Sequence, residues 1–289
     1  MNASVLIVGF HTYDEIERCV ASIETHEPDV DVIVVDHDAD PVRGHELSAA
    51  HPRITYEPCS ENRGFAAGIN RAARRATSPL LVILNPDVEL RAPIVRTLAA
   101  CLASHPDAAI VGGLVREADG RVQASARRFP DLSTAFGGRT SWLTRVLPGN
   151  PLTRRNLSPT NLEAGCAEVD WVTGAFMMVR RDVFESLGGF DERFFMYWED
   201  SDLCLRALEA GWKTMYEPRA EVIHFTGRAS RHAPTRSQLA FHRSVFHYYW
   251  KHAGFMGRVI SPLVAAGLAT RACLRLLGQL FKSSSVGSP

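Results

Sequence analysis

Apolar residues in the first half of the chain fall into short unbroken runs separated by stripes at helical spacing. Ser4 to Gly9 is apolar and rich in β-formers, and Asp14 to Thr25 follows with Ile16, Cys19, Val20 and Ile23 on one helical face. Asp31 to Asp36 reads as the next strand and Arg53 to Glu57 as a short one. From Asn62, the segment N-R-G-F-A-A-G-I-N-R-A-A-R-R-A carries Ala66, Ile69, Asn70 and Ala73 along a helical stripe. Leu80 to Leu84 is a buried-strand pattern ahead of Asn85-Pro86-Asp87, with a helix over Ala92 to Ser104 and a strand over Ala109 to Gly112. Repeated βα units predict an α/β fold with a mainly parallel central sheet covered by helices on both faces. Ligands of such sheets bind outside the carboxyl ends of the strands.

Three features fall at those ends: Gly9-Phe10-His11, Asp36 and Asp87. Taken singly, each also reads as a turn or a cap. Together they outline one nucleotide-sized crevice. A second concentration of chemistry lies between Val172 and Trp212, where an aromatic cluster runs into Glu199, Asp200 and Asp202. Leu203, Cys204, Ala207 and Leu208 share a helical face there, and Gly211 supplies a stop. The helix dipole favours a charged carboxylate at that N-terminus, while acidic neighbours oppose it. An acidic cap on a surface helix and a general base facing a bound acceptor both fit this run.

The stretches L-N-P-D at 84–87, N-R-G-F-A-A-G-I-N at 62–70, T-G-A-F-M-M-V-R-R at 173–181, G-G-F-D-E-R-F-F-M-Y-W-E-D-S-D-L-C-L-R at 188–206 and V-I-H at 222–224 occur in this order. Across about residues 4 to 250 the chain resembles the inverting family 2 glycosyltransferases, especially their bacterial rhamnosyltransferase-like members. The resemblance implies a GT-A fold, a nucleoside-diphosphate sugar donor and a divalent metal, Mg2+ or Mn2+. It makes Asp200 the general base and Glu199 a residue that orients the acceptor. Asp87 matches the last acid of the family's D-x-D signature and His224 its later histidine, so these two are the expected metal ligands. Asn85 replaces the signature's first acid, which lowers the local charge. Phe10, His11, Asp36, Asn62, Gly64, Phe65, Gly68 and Asn85 are expected along the donor. The second strand opens into Asp36-His37-Asp38-Ala39 where the family has D-N-x-S, a departure at the base and ribose contacts. Gly174 is expected at the acceptor floor, where a side chain would collide. Trp171 and Trp198 are candidate sugar-stacking surfaces, and each reads equally as core. The branch favours thymidine-diphosphate rhamnose over uridine-diphosphate sugars, with a cell-envelope glycan or polyprenyl-linked acceptor.

The 289 residues, 46% hydrophobic and 22% charged, suit one large soluble unit. A glycosyltransferase domain is expected over 1–252, its donor half about 1–115 and its acceptor half about 116–252. A basic amphipathic extension with a disordered tail is expected over 253–289. Six scattered cysteines without C-x-x-C spacing fit a reducing cytosol. The zero net charge hides an asymmetry, because no Asp or Glu follows Glu221. Arg258, Arg271, Arg275 and Lys282 flank apolar stretches too short to span a bilayer, as expected for a helix on the inner face of an anionic cell membrane. A terminal helix packed on the protein's own core is the other reading. The arginines between Arg121 and Arg155 read as a mobile cationic flap or as solvated loop. V-G-F-H-T-Y-D lacks the glycine fingerprint of a dinucleotide oxidoreductase, and no nucleic-acid-binding motif is present. An inactive sugar-binding module is the alternative to an enzyme, and the joint presence of Asp87, Asp200 and His224 argues against it.

Overall fold

The computed structural model describes residues 2–37, 40–129, 165–225 and 234–284. The first βα units build one edge of the sheet. Strand β1 (Ala3–Gly9) pairs in parallel with β2 (Asp31–Asp36), and helix α1 (Tyr13–His26) buries Ile16, Cys19, Val20 and Ile23 beneath them, the stripe expected from spacing. Helix α2 (Pro41–Ala50) has little apolar patterning, burying only Gly44 and Leu47. Its start rests on Asp40, which accepts from the Val42 and Arg43 amides ahead of a first-turn proline. Such a cap is worth about 0.5–2 kcal/mol. Strand β3 (Ile54–Pro58) then joins β2, and α3 (Phe65–Ala73) crosses above β1. Gly68 permits that crossing, since a Cβ there would stand 2.7 Å from Val8.

Strand β4 (Leu80–Leu84) lies on the other side of β1 and is followed at once by the short β5 (Val88–Leu90), a strand not anticipated before α4 (Val95–Ser104). Strand β6 (Ala108–Glu117) outruns the four residues expected of it. Strands β7 (Val122–Gln123) and β8 (Ala126–Arg127) come next, so the start of the expected flap is strand. The rest of that flap, Arg128 and Phe129 apart, lies outside the described residues, with Arg139, Arg145, Arg154 and Arg155.

After it come β9 (Ala167–Val169), β10 (Trp171–Val172), β11 (Phe176–Arg180), α5 (Arg181–Ser186), α6 (Glu199–Glu209) and β12 (Lys213–His224). The sheet order is β3-β2-β1-β4-β11-β6-β12-β5. Strands β3, β2, β1 and β4 run parallel, β11 enters antiparallel between β4 and β6, and β6 is again parallel to β12. Two apolar clusters, one on each face, fill the space between sheet and helices.

The chain ends in α7 (Pro234–His252), α8 (Phe255–Val259) and α9 (Ser261–Ser284). Helix α7 is tied to α6 through Asp202, which is fully buried. Arg206 reaches one carboxylate oxygen at 2.7 Å; Lys251 at 2.6 Å and His252 at 2.8 Å reach the other. Burial would raise the Asp202 pKa, but these partners hold it below the ordinary value. Losing one partner of such a buried network costs about 3–5 kcal/mol. Lys251 therefore belongs to the fold and not to a free cationic surface. The expected disordered end, residues 285–289, lies outside the described residues.

Candidate active site

Sheet topology places the two expected metal ligands together. Strand β12 runs beside β5 with His224 opposite Val88, so the histidine at the strand's end meets the turn that carries Asp87. His224 Nε2 lies 3.0 Å from Asp87 Oδ1, both side chains buried, and the Asp87 carbonyl accepts from the Phe225 amide. His224 Nδ1 stands 2.9 Å from Gln123 Oε1. A proton shared with that carbonyl leaves Nε2 with a lone pair facing a carboxylate oxygen. Two acceptors so placed can share a cation between them. One carboxylate and one imidazole also suit a divalent ion that takes further oxygen ligands from a diphosphate. Asn85 joins the cluster, its amide nitrogen 3.4 Å from His224 Nε2 and its backbone N–H donating to the Ala175 carbonyl.

The general-base candidate stands at the head of α6. Tyr197 and Trp198 both take left-handed backbone, φ 71° and 73°, immediately before Glu199. Two consecutive bulky residues in that region cost about 1–3 kcal/mol each, a cost that persists only where the surroundings enforce it. Trp198 is held by stacking against Tyr248 of α7, ring centroids 4.9 Å apart, and the Tyr197 hydroxyl lies 2.7 Å from Ser237 Oγ. The turn delivers Asp200 onto the start of the helix. Its Oδ2 accepts from the Gly174 amide at 2.9 Å and its Oδ1 from the Ser201 amide at 2.8 Å.

Burial raises the Asp200 pKa, against the lowering effect of those two amides and of nearby Arg127. Glu199 is 5% exposed, and its Oε2 is buried without a hydrogen-bond partner. Burial first, and then the Asp200 charge, push the Glu199 pKa well above the ordinary range. Two carboxyls whose environments favour a neutral Glu199 beside an amide-supported Asp200 are differentiated for donor and acceptor roles. The Asn85 amide donates to the Ala175 carbonyl, one residue on from the Gly174 amide that binds Asp200, and this backbone contact joins the two ends of the site.

The donor-side expectations divide. Gly64 must be glycine: it has φ +91°, and a Cβ would stand 2.1 Å from the Phe195 carbonyl. Asn62 accepts from the Gly64 amide at 2.9 Å, so its side chain shapes the entry to α3. Phe65 is half-buried, lying between Phe190 and Gly174. Phe10 and His11 turn the chain after β1, with His11 exposed at φ 54°. Asp36 is 1% exposed, and its Oδ2 accepts from the Tyr13 and Tyr56 phenols, each at 2.5 Å. Burial and Asp36 push the Tyr13 phenol up to about 12, so it remains a donor at neutral pH. His37 accompanies Asp36 inward, its ring nitrogens against the Glu61 and Gly64 carbonyls; Asp38 and Ala39 lie outside the described residues.

On the acceptor side, a Cβ on Gly174 would meet Asp200 and Phe65 at 3.5 Å, ordinary contact. What Gly174 contributes to Asp200 is its N–H. Trp171 is buried, donates to the Arg128 carbonyl at 2.8 Å and carries the Arg127 guanidinium 5.1 Å from its ring centre. Its ring is core, not an open stacking surface. Gln123, Arg127, Tyr197, Tyr13 and Tyr56 were not anticipated. For the first two, the strands that aim them are two residues long, below what periodicity resolves.

The family profile described as "Glycosyltransferase like family 2" matches residues 2–241. The chain is 30% identical over 293 residues to N-acetylglucosaminyl-diphospho-decaprenol L-rhamnosyltransferase of Mycobacterium tuberculosis, spanning 96% of this chain and 94% of that protein. It is also 30% identical over 251 residues to rhamnosyltransferase WbbL of Escherichia coli K12, spanning 84% and 91%. Among solved structures, mannosyltransferase PcManGT from Pyrobaculum calidifontis, in complex with GDP-Man and Mn2+, superposes with a TM-score of 0.58 at 18% identity, over 99% of this chain and 76% of that one. GalNAc-T7 with UDP, GalNAc and Mn2+ gives a TM-score of 0.58 at 16% identity, over 78% and 44%. These structural likenesses speak to the fold alone, and that fold is the expected GT-A arrangement. With its full-length relatives and its matching profile, the chain belongs to glycosyltransferase family 2.

Proposed function

We propose that this glycosyltransferase moves rhamnose from thymidine diphosphate to a hydroxyl of a polyprenyl-diphosphate-linked glycan, inverting the anomeric centre. The observation that supports this reading is the backbone contact of Asn85, beside the Asp87–His224 pair, with Ala175, the neighbour of the Gly174 amide that binds Asp200. The sugar and acceptor rest on the relatives, which include an N-acetylglucosaminyl-diphospho-decaprenol L-rhamnosyltransferase.

Asp87 and His224 would hold a divalent cation, Mg2+ or Mn2+, which when bound supplies Lewis-acid stabilisation of the departing diphosphate. The remaining work falls to side chains of the chain itself. Asp200 takes the proton of the acceptor hydroxyl, held in place by the Gly174 and Ser201 amides. Glu199, its carboxyl pushed toward the neutral form by burial, donates to an acceptor oxygen through Oε2, which has no hydrogen-bond partner. One base suffices, because attack comes from the face opposite the leaving group, in contrast to the paired carboxyls of a hydrolase. The donor half is assigned to about 1–115 and the acceptor half to about 116–252.

The C-terminal helices are assigned to the inner face of the cell membrane, with the acceptor entering beside Asp200. Phe255 and Leu263, 82% and 75% exposed, stand with exposed Val259 near Arg258. No described helix is long and apolar enough to cross a membrane. Shallow insertion with headgroup attraction of about 1 kcal/mol per basic residue fits this surface. One assay tests the whole reading. Nucleotide release is measured with thymidine-diphosphate rhamnose and with uridine-diphosphate hexoses, on vesicles carrying a polyprenyl-diphosphate glycan in anionic or neutral lipid. The rhamnose donor on anionic vesicles is expected to win. A uridine donor turning over faster contradicts the donor assignment, and equal rates on neutral vesicles contradict the membrane assignment.

A further inference from the structure

Cys101, in the last turn of α4, and Cys166, just ahead of β9, are adjacent and paired as a disulfide, with Cα atoms 6.1 Å apart. His105 follows one helical turn after Cys101, and the three side chains bring their ligand atoms within 4.8 Å of one another. A disulfide makes no use of an imidazole. His105 Nδ1 is 2.9 Å from the Cys101 carbonyl, which can only accept, so the proton sits on Nδ1 and Nε2 keeps the lone pair. Ligating histidines show this arrangement, one ring nitrogen donating to a carbonyl and the other facing the metal. Two soft sulfurs and one imidazole are a donor set for zinc, unlike the carboxylate and imidazole of the active site.

We propose that in the reduced chain Cys101, His105 and Cys166 bind one Zn2+ ion, distinct from the Asp87–His224 pair. Both thiols lose their protons to solvent, and the sulfurs and Nε2 donate to the metal without any change of oxidation state. Tetrahedral ligands to zinc stand roughly 3.5 Å apart, within reach of small side-chain rotations from the observed cluster. Asp107 and Glu168, each two residues along the chain from His105 and Cys166, both pair with Lys213, at 2.9 and 3.4 Å. The fourth position is assigned to water. Such an ion would pin the start of β9 to α4. The segment after β9 is β10, which leads to the Gly174 amide beneath Asp200.

Cobalt is the probe that separates this site from the active site, because only thiolate ligation produces a sulfur-to-cobalt charge-transfer band. Full-length protein, reduced with a phosphine and stripped of metal, is titrated with Co2+ and then with Zn2+. One equivalent of cobalt is expected to raise the band, and zinc to abolish it. His105→Asn and Cys166→Ser, checked for folding by circular dichroism, should weaken binding at least tenfold. A reduced protein without the band overturns the proposal. So does a band that forms with wild-type affinity in Cys166→Ser, or a Cys101–Cys166 disulfide that persists in a cytosolic glutathione buffer.

Discussion

Asp200→Asn lowers turnover by about 10²- to 10⁴-fold, the range expected for loss of a general base, while leaving donor affinity unchanged. The amide side chain has the same shape, and its oxygen still accepts from the Gly174 or Ser201 amide, so the head of α6 stays in place. What disappears is the ability to take a proton. The pH dependence carries the same signature. A base works ionised, and burial raises the Asp200 pKa, so activity falls as pH drops through a value above the ordinary aspartate range. Burial and the Asp200 charge push the Glu199 carboxyl toward its neutral form, which suits it less to act as the base. Steady-state kinetics with separate nucleotide-binding measurements check this. Wild-type turnover in Asp200→Asn, or an acid limb at the ordinary aspartate position, removes Asp200 from the role.

Asp87→Ala is expected to abolish the tightening of nucleoside-diphosphate binding by Mg2+ or Mn2+. Lewis-acid assistance is worth several kcal/mol, so turnover should fall by about 10³-fold or more. His224→Ala should weaken the metal response as well, because Asp87 Oδ1 loses the group 3.0 Å away. Calorimetry with and without chelator reads the effect directly. Gln123→Ala offers a finer check, since it removes one partner of the His224 ring without removing a ligand and should weaken the metal response less than His224→Ala. Equal nucleotide affinity with and without metal in the wild-type protein contradicts the assignment of Asp87 and His224.

The strands and helices of the first half were legible because their core faces repeat cleanly: the α1 stripe and the β1 and β4 runs are buried as their spacing requires. Helix α2 escaped because it buries little; its only local signal was the Asp40-Pro41 start. Strand β5 escaped because three residues carry no periodicity, although this strand brings His224 to Asp87. The motif residues of the site came from resemblance; Asp87, His224 and Asn85 lie together, as do Asp200 and Gly174. Their partners could not be read in this way. Gln123 is placed by the short β6–β7 hairpin, and Arg127 by a pairing with Trp171 set far along the chain. The inward turn of Asp36 depends on β2–β3 register, which sets Tyr56 opposite Val34, and on the Tyr13 phenol. Trp171 and Trp198 offered aromatic rings without a direction, and packing turned one into the core and the other onto Tyr248.

The most direct measurement is the anomeric configuration of the product. Attack by an acceptor oxygen deprotonated at Asp200, opposite the diphosphate, forms the new bond as the old one breaks. Proton NMR of the glycoside made by the wild-type protein should show a configuration opposite to that of the nucleotide-sugar donor. A product that retains the donor's configuration requires a covalent or same-face mechanism and contradicts the roles assigned to Asp200 and Glu199.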